Sequence, residues 1–321
     1  MKLRDLAGIV LLALMWSPTF LLVRIGVHEV PPLTMTWMRV LFAGLFLLGL
    51  SKLKGRTLRP YLKLWPKLLI AGLLNNVLAF TFCSYGEMYA DSSTAGIIEG
   101  SVPLYTLLVS VVVLKQWAVE RRQLLGAFLG FLGLMLILLP TANYEGEGIG
   151  IGLVLLNLMA MSFACGFLYS EKELEHVPPL EAATLQVMAG ALLMTPFVWI
   201  IDIPHTKPMP SSSVFFVIGV LGLIGTALPW ILYFNLVKSI GARLVSFATP
   251  MVPVFAMLLG ALFLNENMYW YKILGGMITV LSVLLVGPTG DILFSWLDRR
   301  QLVYLRVKAT DDSSSSDDPP Q

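Results

Sequence analysis

The chain has 321 residues, of which 57% are hydrophobic and only 13% are charged, and its formal net charge is +2. Soluble domains carry about 25% charged residues, so a soluble core cannot bury this much apolar surface. The composition therefore excludes a soluble domain and predicts a polytopic membrane protein.

Ten uninterrupted apolar stretches follow one another along the chain. They cover roughly residues 6–23, 33–50, 68–86, 92–114, 124–140, 148–170, 181–201, 214–237, 242–264 and 271–287. Each is close to the ~17–25 residues that a tilted helix needs to cross a bilayer. Strands are not expected, because an open strand leaves its backbone unsatisfied in lipid and no stretch alternates polar with apolar residues. The predicted fold class is an all-α integral membrane protein with ten transmembrane helices.

Basic residues are distributed unequally between the connections. With the N-terminus in the cytoplasm, that side receives Lys2, Arg4, Lys52, Lys54, Arg56, Arg59, Lys63, Lys67, Lys115, Arg121, Arg122, Lys172, Lys238, Arg243, Arg299, Arg300, Arg306 and Lys308. The opposite connections hold only Lys207 and Lys272, with Arg24 near the outer end of helix 1. Because positively charged loops stay in the cytoplasm, we expect both termini to be cytoplasmic.

The tetrapeptide Val-Pro-Pro-Leu occurs at 30–33 and again at 177–180, each time between two apolar stretches. Proline has no N–H and disfavours helix in the residue before it, so each copy is predicted to start a helix. Val102-Pro103 recurs likewise as Val252-Pro253. Each half holds five stretches, an odd number, so the halves enter the bilayer in opposite orientations, which is typical of secondary transporters. We therefore expect inverted five-helix repeats at 1–140 and 148–287.

Residues 288–321 differ in composition from the repeats. Their first part mixes Trp, Leu and Tyr with Arg and Lys, which favours an interfacial helix on the inner leaflet. The remainder is a Ser- and Asp-rich tail that is expected to be disordered.

Two charged residues lie well inside the predicted spans. Arg39 in helix 2 and Glu99 in helix 4 both lie about 9–10 Å below the outer boundary, so they could meet. Their counterparts in the second half, Gln186 and Thr249, are neutral. Three interpretations stay open: a structural ion pair, a cavity in which Glu99 faces a substrate ammonium and Arg39 a carboxylate, and a proton-carrying Glu99.

Other polar and aromatic residues interrupt the apolar spans. Asn75 and Asn76 in helix 3 favour interhelical hydrogen bonding over cavity lining. Trp16 and Ser17 precede Pro18, which breaks helix 1 near the midplane, where transporters place substrate, although core packing explains Trp16 equally well. The full set of candidate substrate-binding residues is Trp16, Ser17, Arg39, Asn75, Asn76, Glu99, Ser101, Tyr105, Trp230 and Tyr233.

Several of these segments resemble one family. Trp16-Ser17-Pro18-Thr19-Phe20, the Pro-Pro-Leu before Arg39, Pro103, the Asn265-Glu266 end of helix 9 and the Gly-rich helices 5 and 10 are similar to the EamA-type transporters of the drug/metabolite transporter (DMT) superfamily. The resemblance implies ten helices, an inverted repeat and export or exchange of small metabolites, often amino acids. Family members often carry Gly-Glu where this chain has Lys115-Gln116, and Gly where it has Ser17-Pro18.

The function that the sequence favours is a secondary transporter in the cell (inner) membrane, with export of amino acids or related compounds as the leading interpretation. One alternative is import or exchange of a larger metabolite such as a nucleotide conjugate, which calls for more basic residues than Arg39 alone. Another is a membrane scaffold or lipid-handling protein without a transport cycle. We expect no enzyme activity, catalytic residues, metal, cofactor or nucleic-acid partner, because no motif for them is present.

The predicted partners are a small-molecule substrate and the lipid bilayer. Gly126, Gly130 and Gly133 make a flat face on helix 5. Such a face suits close packing either inside the bundle or between two copies in a homodimer, and the sequence leaves both open.

Overall fold

The computed structural model describes residues 2–90, 92–115, 120–138, 148–202, 211–255, 258 and 269–286, and throughout these ranges its regular structure is helical, without strands. The helices are α1 Leu3–Trp16, α2 Thr19–Val27, α3 Pro32–Leu53, α4 Trp65–Gly72, α5 Ala79–Tyr89, α6 Ser92–Gly100, α7 Val102–Val112, α8 Arg121–Leu138, α9 Ile149–Glu173, α10 Pro179–Phe197, α11 Ser212–Gly222, α12 Leu228–Ile240, α13 Ala242–Val245 and α14 Trp270–Val286. Outside the described residues lie Gln116, Lys207, Asn265-Glu266 and the tail 288–321.

Six helical segments are long and apolar enough to cross a membrane: Leu3–Val27, Pro32–Leu53, Arg59–Tyr89, Ile149–Glu173, Pro179–Asp202 and Ser212–Ile240. Shorter apolar helices cover Val102–Val112, Ala242–Phe255 and Ile273–Val286. The predicted all-helical, multi-pass class is thereby confirmed.

Prolines set the starts and breaks of these helices. α3 begins at Pro32 and α10 at Pro179, and the residue before each has an extended ψ, 140° at Pro31 and 148° at Pro178. The two predicted helix starts are confirmed. Pro18 separates α1 from α2, and the Ser17 hydroxyl donates to the carbonyl of Leu14 at 2.8 Å, a carbonyl that an uninterrupted helix would pair with the missing N–H of Pro18. Helix 1 is thus broken where the sequence predicted.

Two π-helical turns occupy corresponding places in the two halves. One spans Leu73–Leu78, between α4 and α5, and the other spans Leu223–Ala227, between α11 and α12. Each is preceded by a glycine at which another helix approaches closely. A Cβ at Gly72 would lie 2.7 Å from the carbonyl oxygen of Gln186, and one at Gly222 would lie 3.0 Å from that of Arg39. Because Gln186 and Arg39 are themselves counterparts, the halves exchange equivalent contacts, as parts related by a two-fold axis do.

The glycine face of α8 packs against α14 within the same chain. A Cβ at Gly133 would lie 2.6 Å from the carbonyl oxygen of Gly275 and 2.8 Å from the amide nitrogen of Thr279. A Cβ at Gly130 would lie 2.9 Å from the side-chain oxygen of Ser282. The sequence left open whether this face packs inside the bundle or between two copies in a homodimer. In the structure it packs inside the bundle.

Gly133→Ala is expected to lower the melting temperature of the purified protein, because its methyl group meets backbone atoms that cannot rotate away. Overpacking of this kind costs about 1–3 kcal/mol. Gly49→Ala in α3 is the matched control, since nothing lies within 4 Å of its Cβ position. Equal melting temperatures for the two variants would contradict the α8–α14 packing.

Candidate substrate site

A small cavity with two charged side chains in its wall lies beside the break between α1 and α2. We call it the central cavity, and it is lined by Trp16, Thr19, Phe20, Arg39, Phe80, Cys83, Glu99, Met159 and Phe163. Its volume is about 20 Å³, which is room for a single water molecule. Six helices supply the lining, so the cavity is a meeting point of α1, α2 and α3 with α5, α6 and α9 rather than a gap between two neighbours.

Arg39 is buried, with 3% of its surface exposed, and its guanidinium ties α3 to the π-helical turn of the other half. Nε donates to the Thr226 hydroxyl at 2.7 Å and Nη2 donates to the carbonyl of Gly225 at 3.0 Å. In an α-helix that carbonyl would accept from residue 229, but Pro229 has no N–H. Arg39 therefore donates to a carbonyl inside the π-helical turn that Pro229 cannot serve.

The counterpart contact in the other half is made by neutral groups. The Asn75 amide donates to Gln186 Oε1 at 3.2 Å, and Gln186 Nε2 donates to Asn76 Oδ1, also at 3.2 Å. Asn75 donates further to the Ser170 hydroxyl and the carbonyl of Gly166. Asn75 and Asn76 thus hold helices together and do not line the central cavity, which fits the interpretation that the sequence favoured.

Glu99 faces Arg39 across the central cavity, and 8% of its surface is exposed. In the part of the chain that the structure describes, Arg39 makes its hydrogen bonds to Thr226 and Gly225, and no ion pair within 4.0 Å joins it to Glu99. The guanidinium carbon of Arg39 also lies 3.9 Å from the centroid of the Phe80 ring. The two charges are therefore close enough to balance each other, while the Glu99 carboxylate stays directed at the cavity.

Two buried polar groups were missed by sequence reasoning, one in the cavity wall and one beside Cys83. The Thr19 hydroxyl is buried and makes no hydrogen bond to any described residue. Glu87 is 3% exposed and its carboxylate lies 3.6 Å from the Cys83 sulfur. The apolar stretch was taken to end at residue 86, but α5 continues to Tyr89 and its helical spacing puts Phe80, Cys83 and Glu87 on one face. That spacing was the signal available in the sequence.

Trp230 and Tyr233 lie behind the cavity in an aromatic cluster centred on Phe167. Trp16 stacks on Phe167 with ring centroids 6.4 Å apart, and Tyr233 lies 4.8 Å from it on the far side. The Tyr233 hydroxyl donates to the carbonyl of Phe167 at 3.3 Å. Trp16 and Phe163 link this cluster to the central cavity, because both line the cavity and both contact Phe167.

The remaining candidates face elsewhere. Ser17 and Ser101 donate to carbonyls of their own helices, Leu14 and Ile98 respectively. The Tyr105 hydroxyl donates to Asn157 Oδ1 at 2.5 Å, between α7 and α9. Of the ten candidate residues, the central cavity brings together Trp16, Arg39 and Glu99.

Comparison with known proteins places this arrangement in a family. The EamA-like transporter family profile matches residues 5–139 and 150–287, which is most of the chain. The chain belongs to the EamA-like transporter family. Its relatives include the uncharacterized inner membrane transporter YedA of Escherichia coli, 28% identical over 285 residues that cover 88% of this chain and 90% of that protein. The uncharacterized transporter YoaV of Bacillus subtilis is 24% identical over 84% of this chain and 92% of its own length.

A third relative has a name that specifies a cargo. The "probable amino-acid metabolite efflux pump" of Salmonella typhimurium is 24% identical over 193 residues, 58% of this chain and 60% of its own length. A solved structure, described only as the crystal structure of a protein, matches with a TM-score of 0.72 and 18% identity over 91% of this chain and 99% of that one. It supports the fold alone. The protein is a multi-pass membrane transporter of the DMT class, and its relatives are named as transporters rather than as enzymes.

Proposed function

We propose that the protein is a secondary transporter that exports amino acids or related small metabolites across the cell (inner) membrane. The observation that carries this proposal is the central cavity, where a buried carboxylate and an unpartnered hydroxyl face inward beside a broken helix. Such groups are costly inside a membrane protein and mark substrate or ion pathways. The names of YedA and of the Salmonella efflux pump support the membrane and the cargo class.

The proposed topology is ten helices in two inverted repeats, 1–140 and 148–287, with both termini cytoplasmic. It is supported by the reciprocal contacts of Arg39 and Gln186 with the π-helical turns of the opposite halves. The inequality of basic residues supports the orientation.

Within the cavity, Glu99 is proposed to receive the ammonium group of the substrate or the coupling proton. The walls beside it are aromatic, since Trp16, Phe20 and Phe163 all line the cavity, and aromatic faces attract an ammonium. Thr19 adds a hydroxyl that can accept a hydrogen bond from the same group. Arg39 is held in place by its hydrogen bond to the carbonyl of Gly225. Glu99 is therefore the charged residue of the lining that we propose binds the ligand.

Transport requires the cavity to open, because about 20 Å³ cannot hold a metabolite. Ligand sites are usually about 300–1,000 Å³. We propose alternating access in which the halves rock about the central contacts, with the Pro18 break and the two π-helical turns as places where helices bend. A scaffold or lipid-handling protein is disfavoured, since its centre would be dry and lined by Leu and Phe, whereas this one holds Arg39 and Glu99.

A substrate panel assayed in proteoliposomes, with and without a pH gradient, tests the proposal. We expect counterflow of at least one apolar or aromatic amino acid, above that of protein-free liposomes. A panel that includes amino acids, amines and nucleotide conjugates and gives no flux for any of them would overturn the proposed function. Flux of nucleotide conjugates alone would replace it with the larger-metabolite alternative.

A further inference from the structure

A second and much larger cavity opens at the C-terminal ends of α9 and α12. Its volume is about 690 Å³, within the usual range for small-molecule sites. We call it the charged vestibule. Its apolar floor includes Leu168 and Val237, and its charged wall residues include Glu171, Glu175, Lys238 and Arg243.

The charged vestibule and the aromatic cluster share the same pair of helices. On α9, Phe167 and Glu171 are four residues apart, so they lie on one face, and Glu175 follows in the turn just after the helix ends at Glu173. On α12, Tyr233 and Val237 are related in the same way. A molecule in the vestibule would therefore lie about one helical turn, roughly 5 Å along the helix axes, from the aromatic cluster and from Trp16 beyond it.

The two signs of charge are concentrated on different walls. The wall formed by α9 and the turn after it carries the carboxylates of Glu171 and Glu175, together with Lys172, while the wall formed by α12 and α13 carries Lys238 and Arg243. Glu171 is anchored, because its carboxylate accepts the backbone N–H of Ala242 and is attracted by Arg243. Glu175 and Lys238 are exposed and directed to the vestibule.

Gly241 gives the vestibule its shape where the two walls meet. Its φ of +81° is one that residues with a side chain rarely adopt, and a Cβ there would lie 2.8 Å from Glu171 Oε1. The backbone can therefore approach the carboxylate closely enough for the Ala242 N–H to reach it. The carboxylate wall is thus fixed against the start of α13.

We propose that the charged vestibule is a loading site for zwitterionic compounds with an apolar body, of the α-amino-acid type. The ammonium group binds at Glu175, beside Glu171, the carboxylate binds at Lys238 and Arg243, and the apolar body lies on Leu168 and Val237. A ligand with one sign of charge satisfies one wall and meets like charge on the other, which discriminates against it. The site deepens the proposed function by naming its substrate class, and its place as a loading site rests on that function.

Binding to the purified full chain in detergent tests the proposal with three probes. L-phenylalanine is zwitterionic, its methyl ester is a cation and its N-acetyl derivative is an anion. We expect L-phenylalanine to bind about tenfold more tightly than either derivative by equilibrium dialysis. Glu175→Gln should weaken the binding of L-phenylalanine and of the methyl ester about tenfold and leave the binding of the N-acetyl compound unchanged. Lys238→Gln should weaken the binding of the N-acetyl compound and leave that of the methyl ester unchanged.

Lys63→Gln is the matched control, because Lys63 is exposed and lies outside the vestibule. Equal binding of the three probes, no binding up to their solubility limits, or loss of binding in Lys63→Gln as large as in Lys238→Gln would each overturn the vestibule site. If Glu99→Gln abolishes binding and the vestibule variants do not, the ligand occupies the central cavity and the vestibule proposal fails while the transport proposal stands. Vestibule binding without any flux in proteoliposomes would instead overturn transport alone.

Discussion

Glu99→Gln is expected to abolish gradient-driven transport while the protein still folds. The substitution keeps the shape of the side chain and removes the charge that faces the central cavity. Since Arg39 bonds to Thr226 and Gly225 rather than to Glu99, the variant leaves those contacts in place. If Glu99 holds a substrate ammonium, loss of the charge should weaken amine-bearing substrates by about 2–5 kcal/mol, roughly 30-fold or more.

The measurement also separates the roles that the sequence left open. A proton carrier predicts loss of the response to a pH gradient with counterflow exchange still running, because exchange needs no net proton movement. A substrate anchor predicts that exchange of amine-bearing compounds falls much more than exchange of amine-free analogues. Glu120→Gln is the control, since Glu120 is exposed and far along the chain from the cavity helices. Unchanged flux and unchanged melting temperature in Glu99→Gln would remove Glu99 from the mechanism altogether.

The sequence predicted those parts of the fold that depend on local chemistry. Pro18, Pro32 and Pro179 act through a missing N–H and a fixed φ, so their effects can be read without knowing the neighbours. The correspondence between Arg39 and Gln186 could also be predicted, because the two Val-Pro-Pro-Leu copies fix the number of residues that separates equivalent positions in the two halves. The helical, membrane-spanning class of the protein follows from the length of its apolar stretches alone.

The site depends on contacts between residues that are far apart in the chain, and a single sequence does not specify those contacts. Arg39 and Thr226 are 187 residues apart, and no local pattern links the guanidinium to the Thr226 hydroxyl or the Gly225 carbonyl. The π-helical turns that carry Asn75 and Thr226 were not predicted either, because they arise where α4 and α11 pack closely at Gly72 and Gly222.

The aromatic candidates illustrate the same difference. Trp230 and Tyr233 were predicted to line a cavity because they are polar aromatics beside a proline. They lie instead behind Phe167, a residue that composition cannot distinguish from any other core phenylalanine. Thr19 was overlooked because a threonine in a helix usually bonds to its own backbone, and only its surroundings reveal that its hydroxyl has no described partner.

Arg39→Gln is expected to destabilise the protein, and Pro229→Ala is expected to restore part of the loss. The first change removes the buried donors to the Gly225 carbonyl and the Thr226 hydroxyl, and losing buried hydrogen-bond partners costs about 1–3 kcal/mol. Alanine at 229 supplies the N–H that an α-helix directs at the carbonyl of residue 225. Arg39 and Pro229 should therefore be coupled, although no bond joins their side chains.

A double-mutant cycle on melting temperature and denaturant midpoint measures that coupling. We expect an interaction of about 0.5–3 kcal/mol, with the double variant more stable than the sum of the single effects predicts.

Gln186→Leu is the comparison in the other half, where the hydrogen-bond partners are the amides of Asn75 and Asn76. The position there that corresponds to Pro229 is Ala79. Pro229→Ala should not rescue Gln186→Leu, because the turn at Leu73–Leu78 has no missing donor of this kind. Additive effects of Arg39→Gln and Pro229→Ala would mean that Arg39 stabilises the bundle through its charge opposite Glu99 and not through the Gly225 carbonyl. Arg39→Lys refines the distinction, since an ammonium keeps the charge but cannot reach both Thr226 and Gly225 with the guanidinium's fixed donors.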